Sequence, residues 1–179
     1  MRLIRLLLGR LILWLGDKMT KALSIWIMFA IIAAGSALIW HKANAMTVRP
    51  QNVVRLTAIK QHIGLHERKN RSTIRRIVGV DPVRTPWCGA AAAYSVRKAN
   101  QKPPQGYLKA SSWRHWGKAV SFRNARPGDV IVYRFKRGYH VAIFEKHLGK
   151  GRHRSCGWNM SNRFKCSNYR NSSVKAVRR

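Results

Sequence analysis

Thr85-Pro86-Trp87-Cys88-Gly89-Ala90 sets a lone cysteine where a helix begins, and the rest of the chain is read outward from it. Thr85 can cap that helix and Pro86 then occupies its first position, where a missing N–H costs nothing. The run from Gly89 to Ala99 is alanine-rich, ends on Arg97 and Lys98 and stops at Asn100, the pattern of a short helix. Cys88 therefore falls in the first turn, where the helix dipole and free backbone N–H groups favour a thiolate. A small buried cysteine on an alanine face is the inert reading of the same residues.

The reactive reading gains weight downstream. Arg126-Pro127-Gly128-Asp129 reads as a turn into a strand, Val130 to Tyr133. Lys136-Arg137-Gly138 then links it to a second strand that runs through His140-Val141-Ala142-Ile143-Phe144. His140 opens that apolar strand at its loop end, where an imidazole can face a cleft while Ala142 and Phe144 continue its face. A cysteine opening a helix and a histidine opening a later strand make a nucleophile and its base.

With Ile63-Gly64-Leu65 and Glu67, Trp116-Gly117 and Asn159-Met160-Ser161-Asn162 added to these, the chain from about Ile63 onward resembles the small papain-like cell-wall hydrolases of the CHAP and NlpC type, many of them phage-borne. The resemblance implies an α+β fold, with N-terminal helices packed on a small antiparallel sheet. It implies Cys88 as nucleophile, His140 as base and a later polar residue that orients the imidazole. Asn159, nineteen residues after His140, matches the CHAP-like pattern; His153, thirteen after it, is closer to the NlpC-like one. Asn159 is preferred, because an amide oxygen can accept from the imidazole N–H without adding charge. His153, between Arg152 and Arg154, reads as part of a solvated stretch. The implied substrate is an amide bond in peptidoglycan, attacked by a monomer without cofactor.

Charge is the unusual part of the composition. Lys and Arg number 36 against 5 Asp and Glu, a formal net charge of +31. Beyond residue 45 there remain thirty basic residues and four acidic ones, so the charge belongs to the main domain and attracts polyanions, nucleic acid included. A membrane-anchored, non-sequence-specific nucleic-acid-binding protein is accordingly the alternative function, though the chain has no helix-turn-helix, zinc-finger or RNP pattern. A papain-like binder without catalysis is a third, opposed by the intact Cys88 and His140.

Residues 1–21 begin as a Leu-rich, basic amphipathic segment, with Met19 as a second candidate start. Residues 22–40 form 19 residues without a formal charge, bounded by Lys21 and His41-Lys42, close to the length that spans a bilayer. Ala43-Asn44-Ala45 then supplies a small-x-small cleavage pattern. The segment is thus a transmembrane anchor, a releasable signal-anchor or a cleaved signal. Residues 41–51 are a linker and 52–179 the hydrolase domain. The expected location is the inner membrane with the domain on its periplasmic or extracellular side, or secretion after cleavage near Ala45.

Helices are expected over 52–65, 72–78 and 108–116, with Trp113 and Trp116 on one inward face. Strand-like pieces follow at 152–160, 164–169 and 174–177. Cys156 and Cys166 can pair across neighbouring strands if the domain lies in an oxidising compartment. Three cysteines without close Cys-x-x-Cys or His-x-x-x-His spacing do not make a zinc site.

Overall fold

The computed structural model describes residues 26–36 and 50–179. The first stretch is helical and exposed throughout apart from Gly35, which is half-buried (α1, residues 26–36). No helix among the described residues is long and apolar enough to cross a membrane. The basic segment 1–21, the cleavage pattern at Ala43 to Ala45 and both ends of the apolar span, residues 22–25 and 37–40, lie outside the described residues. Residues up to Val48 and those from Arg49 onward are separate compact units.

The second unit holds three helices, α2 (Gln51–Lys60), α3 (Arg71–Val78) and α4 (Cys88–Lys98), followed by six strands. These are β1 (Ala119–Val120), β2 (Val130–Phe135), β3 (Gly138–Gly149), β4 (Arg152–Gly157), β5 (Lys165–Arg170) and β6 (Val174–Arg178). They form one sheet in the order β1-β6-β2-β3-β4-β5, antiparallel at every pairing. The α+β expectation holds, with the last strand inserted between the first two.

Period-two alternation along the central strands gives the sheet two apolar faces. Val130, Val132, Val141, Ile143, Cys156 and Trp158 share a cluster with the alanines of α4. Ile131, Tyr133, Ala142, Phe144 and Val177 form the other. The alanines Ala90 to Ala93 are all fully buried, which lets α4 lie close against the strands.

Three boundaries differ from the sequence reading. The first long helix stops at Lys60, because the chain turns at Gly64 (φ +99°), whose N–H donates to Phe164 O at 2.9 Å. The 108–116 segment is a short 3-10 stretch, Ala110–His115; Trp113 and Trp116 do point inward, their rings 5.7 Å apart. The helix of the cysteine starts at Cys88 itself, with Trp87 at the capping position and no side-chain cap, so Thr85 and Pro86 precede it. Trp87 fixes that start. It is fully buried, donates its indole N–H to Glu67 Oε2 at 3.3 Å and packs on Phe164 with ring centroids 4.9 Å apart.

Cys156 and Cys166, directly opposite in the β4–β5 register, are disulfide-bonded. The Arg126 to Asp129 turn is tied down on two sides. Asp129 is fully buried and accepts from Arg179 Nε at 2.8 Å and Nη2 at 2.6 Å. Gly128 (φ +91°) lies so close to α2 that a Cβ there would meet Asn52 O at 1.8 Å.

Candidate active site

Cys88 is the free cysteine among the described residues, buried at the first position of α4. Gly89 after it is dictated by close approach, since a Cβ there would meet Tyr107 O at 2.1 Å and Leu108 O at 2.5 Å. The sulfur lies against the backbone N–H groups of Val141, Gly89 and Cys88 itself. Burial pushes the Cys88 thiol up, and the pull of these N–H groups offsets that only in part.

His140 pairs with Tyr133 in the β2–β3 ladder, and the Tyr133 ring stacks on it at 6.1 Å and 20°. It shares the face of Tyr133 and Ala142, whereas Cys88 packs with the Val141 and Ile143 face. The two side chains therefore approach the start of β3 from opposite sides, with the Val141 N–H at the Cys88 end. No side-chain hydrogen bond joins them among the described residues. His140 Nε2 is buried without a partner, and burial lowers the imidazole pKa to about 4. Both groups are thus neutral near pH 7.

Asn159 shares a cleft of about 390 Å³ with His140, walled by Phe135, Tyr169, Lys165 and Ser161. Carrying the Ile143↔Cys156 register three residues toward the start of β3 puts Asn159 opposite His140. The strand has ended at Gly157 by then, and Asn159 turns out of the ladder with φ +54°. It makes no hydrogen bond to His140. Cys88 does not line this cleft.

His153 is not solvated. Strand alternation turns it inward between Arg152 and Arg154, and it is fully buried. Its Nδ1 lies 2.9 Å from Asn171 Oδ1, and its Nε2 lies 2.9 Å from the Tyr133 hydroxyl, which is 2.7 Å from Ser155 Oγ. Both ring nitrogens are engaged there, and the Tyr133 ring, which stacks on both histidines, separates it from His140.

Sequence reasoning missed Tyr133 and Lys165. The link at Lys136-Arg137 carried the signal for Tyr133, because a two-residue hairpin pairing Phe135 with Gly138 puts Tyr133 opposite His140. Lys165 had no such signal; it reaches the cleft because the disulfide-bearing β4–β5 pair sets Lys165 beside Gly157.

Glu145, Cys156 and Cys166 lie close enough together for a metal, but the two sulfurs are consumed in the disulfide and the carboxylate pairs with Lys60 and Arg154. These residues do not fit a resident ion.

No protein-family model and no curated protein matches the chain. Several solved structures do. The P60 domain of an antigen from M. avium subspecies paratuberculosis aligns at 19% identity over 51% of this chain and 63% of its own, with a TM-score of 0.38. RipD from Mycobacterium tuberculosis, described as a non-catalytic NlpC/p60 domain protein adapted to peptidoglycan binding, aligns at 16% identity over 74% of this chain and 98% of its own, TM-score 0.47. The peptidoglycan hydrolase RipB from Mycobacterium tuberculosis aligns at 14% identity over 72% and 64%, also with a TM-score of 0.47. The chain spans less than two thirds of the P60 and RipB structures. The solved structures to which this chain is similar are NlpC/p60-domain proteins.

Proposed function

We propose that the domain hydrolyses an amide bond in peptidoglycan with Cys88 as nucleophile and His140 as base. The observation that supports this most directly is the seat of Cys88 Sγ, in the first turn of α4 and against the N–H of the residue that follows His140. This reading requires His140 to leave the Tyr133 face during the reaction and reach the sulfur past the end of the ladder, where β4 has stopped. Catalytic hydrogen bonds that are open in the free enzyme commonly tighten only around substrate.

Cys88 Sγ then attacks the carbonyl carbon while its proton passes to His140. His140 returns that proton to the departing amine as the C–N bond breaks, leaving a thioester on Cys88. Water hydrolyses the thioester, His140 taking its proton and restoring the thiol. The N–H groups of the first turn of α4 face the developing oxyanion. Asn159, opposite His140 in the continued register, orients the imidazole.

A peptidoglycan substrate requires the domain outside the cytoplasm in this reading, tethered through residues 22–40 or released after Ala45, and acting as a monomer. Purified chain added to cell-wall suspensions should release new amino groups, and Cys88→Ala should abolish the release with the fold intact. Wall binding equal in both proteins, without release by either, would favour a peptidoglycan binder, a reading that the open Cys88–His140 geometry also supports.

A further inference from the structure

Helix α3 carries a charge arrangement that the catalytic reading does not use. Its sequence Arg-Ser-Thr-Ile-Arg-Arg-Ile-Val turns Ile74 and Val78 into the core and leaves Arg71, Ser72, Arg75 and Arg76 exposed. With Arg68 and Lys69 from the preceding turn, and Gly79 after the helix, these line an open cleft of about 710 Å³. Among the described residues the acidic groups are already taken up. Glu67 is buried against the Trp87 indole, Asp129 is taken by Arg179, and Glu145 by Lys60 and Arg154. Asp81 pairs with Arg71 and lies 3.9 Å from Arg84. Arg68, Lys69, Arg75 and Arg76 consequently have no acidic partner among the described residues.

Two such cations on a helix about 12 Å long and two more in the turn before it repel one another unless a ligand brings the opposite charge. Three of the four are arginines, whose planar fork matches an oxyanion through two parallel N–H donors. The cleft has no aromatic lining residue on which a base could stack, and no apolar one to enter a lipid layer. We propose that this cleft binds a linear phosphodiester polymer of the polyol-phosphate kind, holding consecutive phosphates on Arg68, Lys69, Arg75 and Arg76. The proposal is independent of the Cys88 chemistry.

The test is binding of labelled poly(glycerol phosphate) to the 179-residue chain in nonionic detergent, as a function of salt, beside an oligo-deoxythymidine of equal phosphate count. Arg75→Gln/Arg76→Gln should weaken polymer binding at least tenfold and flatten the log–log salt slope by about 1.4, at roughly 0.7 for each phosphate no longer neutralised. Arg75→Lys/Arg76→Lys should keep the slope while losing affinity, the signature of bidentate recognition. Lys136→Gln/Arg137→Gln, the same charge change in the β2–β3 link, should shift affinity less than threefold. Thermal unfolding checks that the variants fold, as expected for exposed positions. Equal weakening by the Lys136/Arg137 pair would mean diffuse attraction and overturn the site. Tighter binding of the oligonucleotide, abolished in the Arg75/Arg76 variant, would overturn the choice of ligand.

Discussion

Acid should destabilise this domain through His140, and by an amount that can be worked out. In the fold the ring is held neutral, its pKa lowered by burial from 6.5 to about 4. The unfolded chain takes up a proton below 6.5 that the native state refuses until about pH 4. Between those values the unfolded state binds more protons, so stability is present above pH 6.5 and is lost as pH falls through the native pKa. From the two pKa values, the loss attributable to this residue is about 2 kcal/mol at pH 5 and about 3 kcal/mol at pH 4. The assay is urea unfolding at pH 7, 5 and 4 for the wild type and for His140→Phe, which keeps an aromatic ring against Tyr133 without the titration. Burial lowers His153 as well, and that contribution is common to both proteins and cancels. The wild type should lose about 2 kcal/mol more than the variant between pH 7 and pH 5. Parallel losses in the two proteins would refute the assignment of a buried neutral imidazole.

Reducing the Cys156–Cys166 bond, which closes a separation of 10 residues, should lower unfolding stability by about 2.7 kcal/mol, read from chemical unfolding with and without reductant. Asp129→Ala removes the two carboxylate acceptors of Arg179, leaving it Asn124 O, and the side-chain acceptor of the Arg126 N–H in a buried turn; a loss of about 2 kcal/mol is expected, seen as a lower urea midpoint. Because burial raises the Cys88 thiol, its alkylation by iodoacetamide at pH 7 should be slower than that of a free thiol and should accelerate as pH rises above 9.

The elements legible in the sequence are those with a strong local cause. The alanine run packs as α4, and the Gly128-Asp129 turn leads into β2 as its residues require. Cys88 falls in a first turn even though Trp87, not Thr85, opens the helix, because a buried indole outweighs a surface cap. What stays hidden depends on partners distant in the chain. The helix over 52–65 is cut at Lys60 by Phe164, a hundred residues away. His153 escapes a local reading because its arginine neighbours look like a solvated run, when alternation along a strand turns every second residue inward. The separation of Cys88 from His140 onto two sides of β3 follows from which face α4 covers, and no local pattern encodes that.

In the proposed mechanism Cys88 carries the acyl group during hydrolysis. Mixing the chain with soluble peptidoglycan fragments, quenching in acid and measuring intact mass followed by peptide mapping tests it. A covalent adduct confined to the peptide that contains Cys88, absent from Cys88→Ala, is the predicted result. Hydrolysis that proceeds in Cys88→Ala at the wild-type rate would contradict it.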